Sequence, residues 1–325
     1  MKIPKVSVIV PVYGVEKYIE KCARSLFEQT LKEMEFIFVN DGTKDRSIEI
    51  LEEVIGQYPE RREQIQIIHN PQNMGLPRTR QVGLAAATGD YIAHCDSDDW
   101  VDKSLYESMY SKAIAEDADF VVCDFVVVRN GTEILKSGIH STDKHKYILN
   151  LLNQIDTITV WNKILKKELY SNMTQFPVDN MGEDIATTLQ IVPYCKKVTY
   201  SSEGHYYYNC DNVSITREET KDAVLKRATG ACANATMVFS HYECMADKKI
   251  HRALIHLKFN QRKLFMPAIN HKDVLFLWKQ TFPEINMQVI FNPFIKVSFQ
   301  DRVKFGLTLL GIFPWYKKHF RNNLI

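Results

Sequence analysis

The chain predicts an α/β protein with a mostly parallel mixed sheet, followed by a helical C-terminal region, and three patterns in the sequence carry that prediction. Short apolar runs at residues 6–12, 35–39, 65–68 and 91–94 alternate with amphipathic stretches of helical period, such as Val15, Tyr18, Ile19, Cys22 and Leu26. Alternation of this kind builds right-handed β-α-β crossovers and a sheet covered on both faces. Each apolar run ends in polar or turn-forming residues, and from Glu218 to about Leu277 the pattern is long and helical.

Taken in order, the first strand ends in Pro11-Val12-Tyr13-Gly14 and the second in Asn40-Asp41-Gly42-Thr43. The third ends in Asn70-Pro71-Gln72-Asn73-Met74-Gly75, and the fourth runs directly into Asp96, Asp98 and Asp99. Parallel sheets bind ligands outside the carboxyl ends of their strands, so these four polar termini are expected to converge on one crevice. A helix over 103–116 and an apolar strand over 120–128 follow, and Asn130-Gly131 marks a hairpin at which the sheet becomes mixed. Helical pieces and short strands then surround Trp161-Asn162-Lys163 and Gly182-Glu183-Asp184. A boundary near residue 217 divides an α/β domain, 1–217, from a helical region, 218–325.

The 325 residues carry 41 Lys and Arg against 39 Asp and Glu, so no chain-wide positive field points to nucleic acid as a partner. Seven cysteines without a Cys-x-x-Cys pair fit buried free thiols in a reducing compartment. No signal peptide and no apolar run of spanning length are legible, which predicts a cytoplasmic protein. The stretch 291–325 interleaves Lys296, Arg302, Lys304, Lys317, Lys318 and Arg321 with Phe294, Phe299, Phe305, Leu310 and Trp315 against the single acid Asp301. Such a tail either lies in a membrane interface, placing the protein at the inner face of the cell membrane, or packs on the protein's own core.

The run Tyr91-Ile92-Ala93-His94-Cys95-Asp96-Ser97-Asp98-Asp99-Trp100 drives an apolar strand into three carboxylates. Oxygen-rich clusters of this kind suit Mg²⁺ or Mn²⁺, which bind one or two carboxylates and complete their shells with substrate phosphates. The competing reading is a solvated turn; a calcium loop is disfavoured by Val101 where its glycine belongs. Neither a GxGxxG fingerprint nor a Gly-x-x-x-x-Gly-Lys-Ser/Thr loop is present, which leaves phosphates to the metal at Asp96 and Asp98 and to Arg78 or Arg80. Tyr13 is placed to stack on a base, and Asp41 to accept the imide N–H of a pyrimidine. A turn residue and a helix cap are the alternatives for these two.

Four ordered blocks, Val8-Ile9-Val10-Pro11-Val12-Tyr13, Val39-Asn40-Asp41-Gly42-Thr43, Asn73-Met74-Gly75-Leu76 and Asp96-Ser97-Asp98-Asp99-Trp100, resemble the signatures of the family 2 glycosyltransferases. Trp161-Asn162-Lys163 and Gly182-Glu183-Asp184 resemble the later blocks, so the likeness covers about two thirds of the chain. It implies a GT-A fold and inverting transfer of a sugar from a nucleotide diphosphate sugar, in the bacterial polysaccharide-synthesis style. The donor is expected to be a UDP-sugar, and the acceptor a hydroxyl of a saccharide or lipid-linked molecule.

Carried over, the resemblance implies nucleotide-sugar binding by Pro11, Tyr13, Glu16, Asp41, Asn73, Arg80, Asp96 and Ser97, with metal at Asp98. Asp184 takes the role of catalytic base, with Glu183 beside it; an inverting transfer needs such a carboxylate opposite the leaving group. In isolation Glu183-Asp184 would read as the first turn of a helix, where acids suit the dipole. Pro77-Arg78-Thr79-Arg80-Gln81-Val82-Gly83 departs from the usual Arg-x-Ala-Arg-Asn-x-Gly, and Arg80 is taken as the contacting arginine. In His205-Tyr206-Tyr207-Tyr208-Asn209-Cys210, Asn209 stands where an arginine is expected. A mobile lid using His205 or Arg217, or a surface hairpin, is predicted there. Two other functions compete: a non-catalytic nucleotide-sugar-binding partner, and a sugar-nucleotide nucleotidyltransferase, whose Gly-rich lysine loop is missing from residues 11–20.

Overall fold

The structure, a computed structural model, describes residues 3–138, 141–212, 218 and 220–317. Internal contacts divide the chain into two compact units, Met1–Ile148 with Thr157–Pro177 and Thr187–Ser214, and Leu149–Asp156 with Val178–Ala186 and Ile215–Ile325.

The first unit holds the whole sheet. Its opening half is β1 (Val6–Val12), α1 (Ile19–Phe27), β2 (Met34–Asn40), α2 (Ser47–Ile55), β3 (Ile65–His69), α3 (Leu76–Ala86) and β4 (Tyr91–His94). These strands pair in parallel in the order β3-β2-β1-β4, as the alternation predicted. The runs of β1, β2 and β4 are almost wholly buried and that of β3 is partly so: Val6, Val8, Val10 and Val12 pack with Ile19, Cys22, Ala23, Leu26 and Phe27 of α1 in one buried cluster. Next come β5 (Trp100–Val101), α4 (Leu105–Glu116), β6 (Phe120–Arg129), β7 (Thr132–Lys136), α5 (Lys144–Leu152), β8 (Lys163–Lys166), α6 (Glu183–Ile191) and β9 (Val198–Asn209). The sheet becomes mixed here: β8 runs antiparallel to β4 and β6, and β9 runs parallel to β6 and antiparallel to β5. Asn130 and Gly131, at φ of 50° and 73°, form the two-residue hairpin between β6 and β7, since a primed turn needs positive φ at both positions.

In the second unit, α7 (Lys221–Glu243), α8 (Lys248–Lys263), α9 (Lys272–Gln280), α10 (Asn286–Phe291), α11 (Phe299–Leu309) and α12 (Ile312–Tyr316) enclose a separate core containing Val224, Phe259, Val274, Trp278, Val289 and Phe305. Side-chain caps start three of these helices: Thr220 accepts from Ala223 N, Asp247 from Lys249 N and Ile250 N, and Ser298 from Asp301 N. No described helix is long and apolar enough to cross a membrane. Part of the basic tail packs on this core, with Phe305 buried and Leu309 and Phe313 against it; Lys318 and Arg321 lie outside the described residues. All seven cysteines are free, and only Cys244 is exposed.

Gly83 on α3 sits where a methyl group would overlap Cγ2 of Ile9 and lie 3.3 Å from Cγ2 of Val39. Ile9 is β-branched and fully buried, so it has no rotamer in which to retreat. Gly83→Ala is therefore expected to destabilise the first unit by about 1–2 kcal/mol despite the better helix propensity of alanine, read as a lower thermal midpoint by circular dichroism.

Candidate active site

The carboxyl ends of β1, β2 and β4 are staggered by their register. Val12 of β1 stands opposite Asn40 of β2, whereas the last β4 residue, His94, stands opposite Ile9. The chain beyond β4 therefore turns away three residues before β1 ends, opening a crevice between Pro11-Val12-Tyr13 and the acids. Tyr13 is 54% exposed at its rim. The loop that carries Tyr13 is held by the start of α2: Gly14 N donates to Thr43 Oγ1 at 2.9 Å, Glu16 N to Asp45 Oδ2 at 3.0 Å, and Arg46 N to Glu16 Oε2 at 3.1 Å.

Asp41 is only 4% exposed, and its carboxylate is already engaged. Oδ1 accepts from Asn70 Nδ2 and Met74 N, both at 2.8 Å, and Oδ2 accepts from Gly75 N at 2.9 Å. Gly75 precedes α3, so the carboxylate seats the entry to that helix, where a negative charge is favoured. Asn73 is exposed on the same loop and its Oδ1 shares the Gly75 N–H at 3.2 Å. Gly42, at φ of 71°, completes the arrangement, because a Cβ there would lie 2.9 Å from Asn73 N.

The three acids have three different surroundings. Asp96 accepts from Arg80 Nη2 at 2.6 Å in an ion pair whose arginine is nearly buried. Asp98 accepts from Asn212 Nδ2 at 2.9 Å, and burial together with the neighbouring Asp96 charge raises its pKa. Asp99 points inward, 1% exposed: Oδ2 accepts from the Tyr206 hydroxyl and Oδ1 from Asn209 N, each at 2.7 Å. The same Tyr206 oxygen accepts from Asp96 N at 3.0 Å, so one hydroxyl ties both ends of the turn. Burial pushes the Asp99 carboxyl well above the usual range. Trp161 stacks on Tyr206 at 4.5 Å and on Tyr208 at 5.5 Å, which locks the ring that carries this hydroxyl.

Several expectations change. Asp99, to which the sequence assigned no ligand role, is consumed by the brace. Residues 205–208 belong to β9, and Trp100 and Val101 of β5 pair with Tyr207 and Tyr206; the later part of the segment expected to form a lid or surface hairpin falls at 213–217. His205 turns to Asp102, 3.2 Å away, and Asn209 Nδ2 donates to Asp98 O at 3.1 Å, so both brace the turn. Arg217 and Ser214-Ile215-Thr216 lie outside the described residues. Of the two arginines, Arg78 is exposed and donates to Gln81, while Arg80 reaches Asp96. Pro11, Tyr13, Glu16, Asp41, Asn73, Arg80, Asp96, Ser97 and Asp98 all stand in the first unit, and Glu183 and Asp184 stand in the second, in the first turn of α6. Tyr206, Asn212 and Trp161 were missed as site residues; the alternation of Tyr206 and Tyr208 on one strand face was the available signal.

Among the described residues no three His, Cys, Asp or Glu side chains form a metal cage. Two carboxylates with only oxygen donors fit a hard divalent ion that draws its remaining ligands from phosphate and water. The sheet order, the staggered strand ends and the paired acids define a nucleotide-binding α/β protein of the GT-A type. The profile of "Glycosyl transferase family 2" matches residues 7–174, and the chain belongs to that family. The "Uncharacterized glycosyltransferase EpsJ" of Bacillus subtilis is 31% identical over 74% of this chain and 71% of its own length. "Glycosyltransferase GlyA" of Streptococcus pneumoniae is 30% identical over 69% of this chain, which spans only 34% of GlyA. A crystal structure of S. aureus TarS 1-349 in complex with UDP superposes with a TM-score of 0.65 at 19% identity, covering 98% of this chain and 92% of that one, a likeness of fold.

Two substitutions probe the frame. Asp41→Ala removes the acceptor of Met74 N and leaves Gly75 N and the Asn70 amide only their longer bonds to Asn73 Oδ1 and Thr79 Oγ1; it is expected to cost about 1–3 kcal/mol and to lower hydrogen-exchange protection at Met74 and Gly75. Tyr206→Phe removes the bond to Asp99 Oδ2 and the acceptor of Asp96 N, leaving Asp99 with the Asn209 N–H alone. It is expected to lower stability by about 1–3 kcal/mol and to weaken binding of UDP with Mn²⁺, measured by calorimetry, while Tyr207→Phe leaves that affinity unchanged.

Proposed function

We propose that this chain is a metal-dependent, inverting glycosyltransferase that takes its sugar from a UDP-sugar and delivers it to a hydroxyl of a saccharide or lipid-linked acceptor. The observation that carries this reading is the pair Asp96 and Asp98 following β4: Arg80 already partners Asp96, whereas burial and the neighbouring Asp96 charge disfavour the charged form of Asp98, which a cation would relieve. A bound Mn²⁺ or Mg²⁺ would be held by Asp98, with Asp96 beside it, and would neutralise charge on the departing diphosphate. Tyr13 stacks on the uracil, and Asp41 offers the base its Oδ2, which carries one N–H bond against two on Oδ1. Pro11, Glu16, Asn73 and Ser97 complete the nucleotide pocket, and Arg80 fixes the orientation of Asp96 while lending positive charge near the ribose and diphosphate. TarS, a structural neighbour, was crystallised with UDP, which supports uridine as the base.

Asp184 acts as the general base that takes the proton of the acceptor hydroxyl as it attacks the anomeric carbon, with Glu183 shaping the acceptor's approach. A positioned base of this kind is worth about 10²–10⁴ in rate. Residues 1–217 serve as the donor-binding and catalytic domain and 218–325 as the helical region. The reaction belongs to surface polysaccharide synthesis at the cytoplasmic face of the membrane.

Release of nucleoside diphosphate from a panel of UDP-, GDP- and dTDP-sugars with Mn²⁺ or Mg²⁺ tests this. Release from one UDP-sugar is expected, abolished by EDTA and lowered at least about 10²-fold by Asp98→Asn and by Asp184→Asn. UDP binding without turnover for any donor and acceptor would instead make the chain a non-catalytic nucleotide-sugar-binding partner.

A further inference from the structure

The second unit carries an exposed apolar face that its own core does not use. On α11, Phe299 is 79% exposed, Val303 44% and, at the helix end, Leu310 74%. Their spacing of four and seven residues places the three within about 40° of one another around the helix. Phe305, 4% exposed, lies on the other side and fills the core. One helix thus has two apolar faces, and among the described residues only one is covered. Phe291 at the end of α10, Phe294 in the following loop and Trp315 on α12 are also exposed, at 69%, 66% and 56%. The loop is rigid, since the Arg302 guanidinium donates to Val297 O at 3.1 Å and Ile295 O at 2.7 Å. An apolar array of this kind marks a contact surface.

Charge identifies the occupant. Residues 248–325 hold fourteen Lys and Arg against three acids, whereas residues 1–247 hold twenty-seven against thirty-six. The near-zero total hides a strongly divided molecule. Asp301, the single acid after Glu284, is itself paired with Lys263 at 3.2 Å. Lys296 is exposed between Phe294 and Phe299. A second copy pairing face to face would set like charges opposite one another. A soluble polyanion would leave the aromatic side chains in water. A bilayer with anionic headgroups satisfies both the cations and the apolar side chains.

We propose that α10, the loop after it, α11 and α12 form an in-plane docking face for an anionic lipid bilayer, with Phe299, Val303 and Leu310 entering the acyl boundary. The inference rests on the membrane-face placement of the proposed reaction and names the surface that achieves it.

The test is flotation of the full chain with vesicles of phosphatidylglycerol and phosphatidylcholine against vesicles of phosphatidylcholine alone, with tryptophan fluorescence recorded alongside. Binding to the anionic vesicles only, weakened by salt and accompanied by a blue shift that Trp315→Phe removes, is expected. Phe299→Ser combined with Leu310→Ser should lower partitioning about tenfold or more with an unchanged thermal melt, and Lys296→Glu should lower it on anionic vesicles. No flotation, or equal flotation of the double variant, overturns the proposal. So does binding to soluble polyphosphate that the double variant retains without vesicle binding, and so does a dimer that the double variant abolishes while vesicles bind neither protein. Nucleotide release in vesicle-free buffer reads the proposed catalysis separately, so either reading can fail alone.

Discussion

The buried Asp99 carboxylate is the interaction on which the first unit's crevice depends. A carboxylate removed from water is costly unless hydrogen bonds replace its hydration, and here the Tyr206 hydroxyl and Asn209 N–H supply them. Because the same hydroxyl receives Asp96 N, the turn after β4 has one conformation, with Asp96 and Asp98 facing out and Asp99 facing in. The bond joins β9 to the turn that leads into β5, which backbone pairing, His205 with Asp102, and Asn209 also hold. Stacking of Tyr206 on Trp161 then transmits the packing of β8 to the turn.

A second set of polar groups works on the same principle. Asp41 spends three hydrogen bonds on the loop after β3, and Arg80 spends its charge on Asp96. Residues that would touch a ligand are thereby pre-oriented by the protein, which lowers the ordering cost when the ligand arrives. The same economy makes function and stability hard to separate by a single substitution at Asp41: removing the side chain removes both a candidate base contact and the seat of α3.

The helical unit solves a different problem. Its core closes around Trp278 and Phe305, with the Arg262 guanidinium 3.9 Å and 4.6 Å from their rings. That core needs only one side of α11, and a sequence with apolar residues on two sides must expose the other. The same segment carries an excess of positive charge that the whole-chain balance of +2 conceals.

Much of the fold was legible because its signals are local. The apolar runs of β1 to β4, the polar termini after them and the Asn130-Gly131 turn each depend on residues within one or two positions, and burial of β1, β2 and β4 on both faces accounts for their nearly continuous apolar runs. The acids Asp96 and Asp98 were legible for the same reason: they stand where a parallel strand must end. What the sequence could not determine were the pairings between distant residues. That Asp99 turns inward was settled by Tyr206, 107 positions away, and that Tyr206 and Tyr207 stand in a strand was settled by pairing with β5. The split of the basic tail into a buried and an exposed face was likewise decided by the helices packed against it. Periodicity reports that a face is apolar, and only tertiary contact decides whether that face is covered, because burial is a property of two surfaces and a sequence pattern describes one.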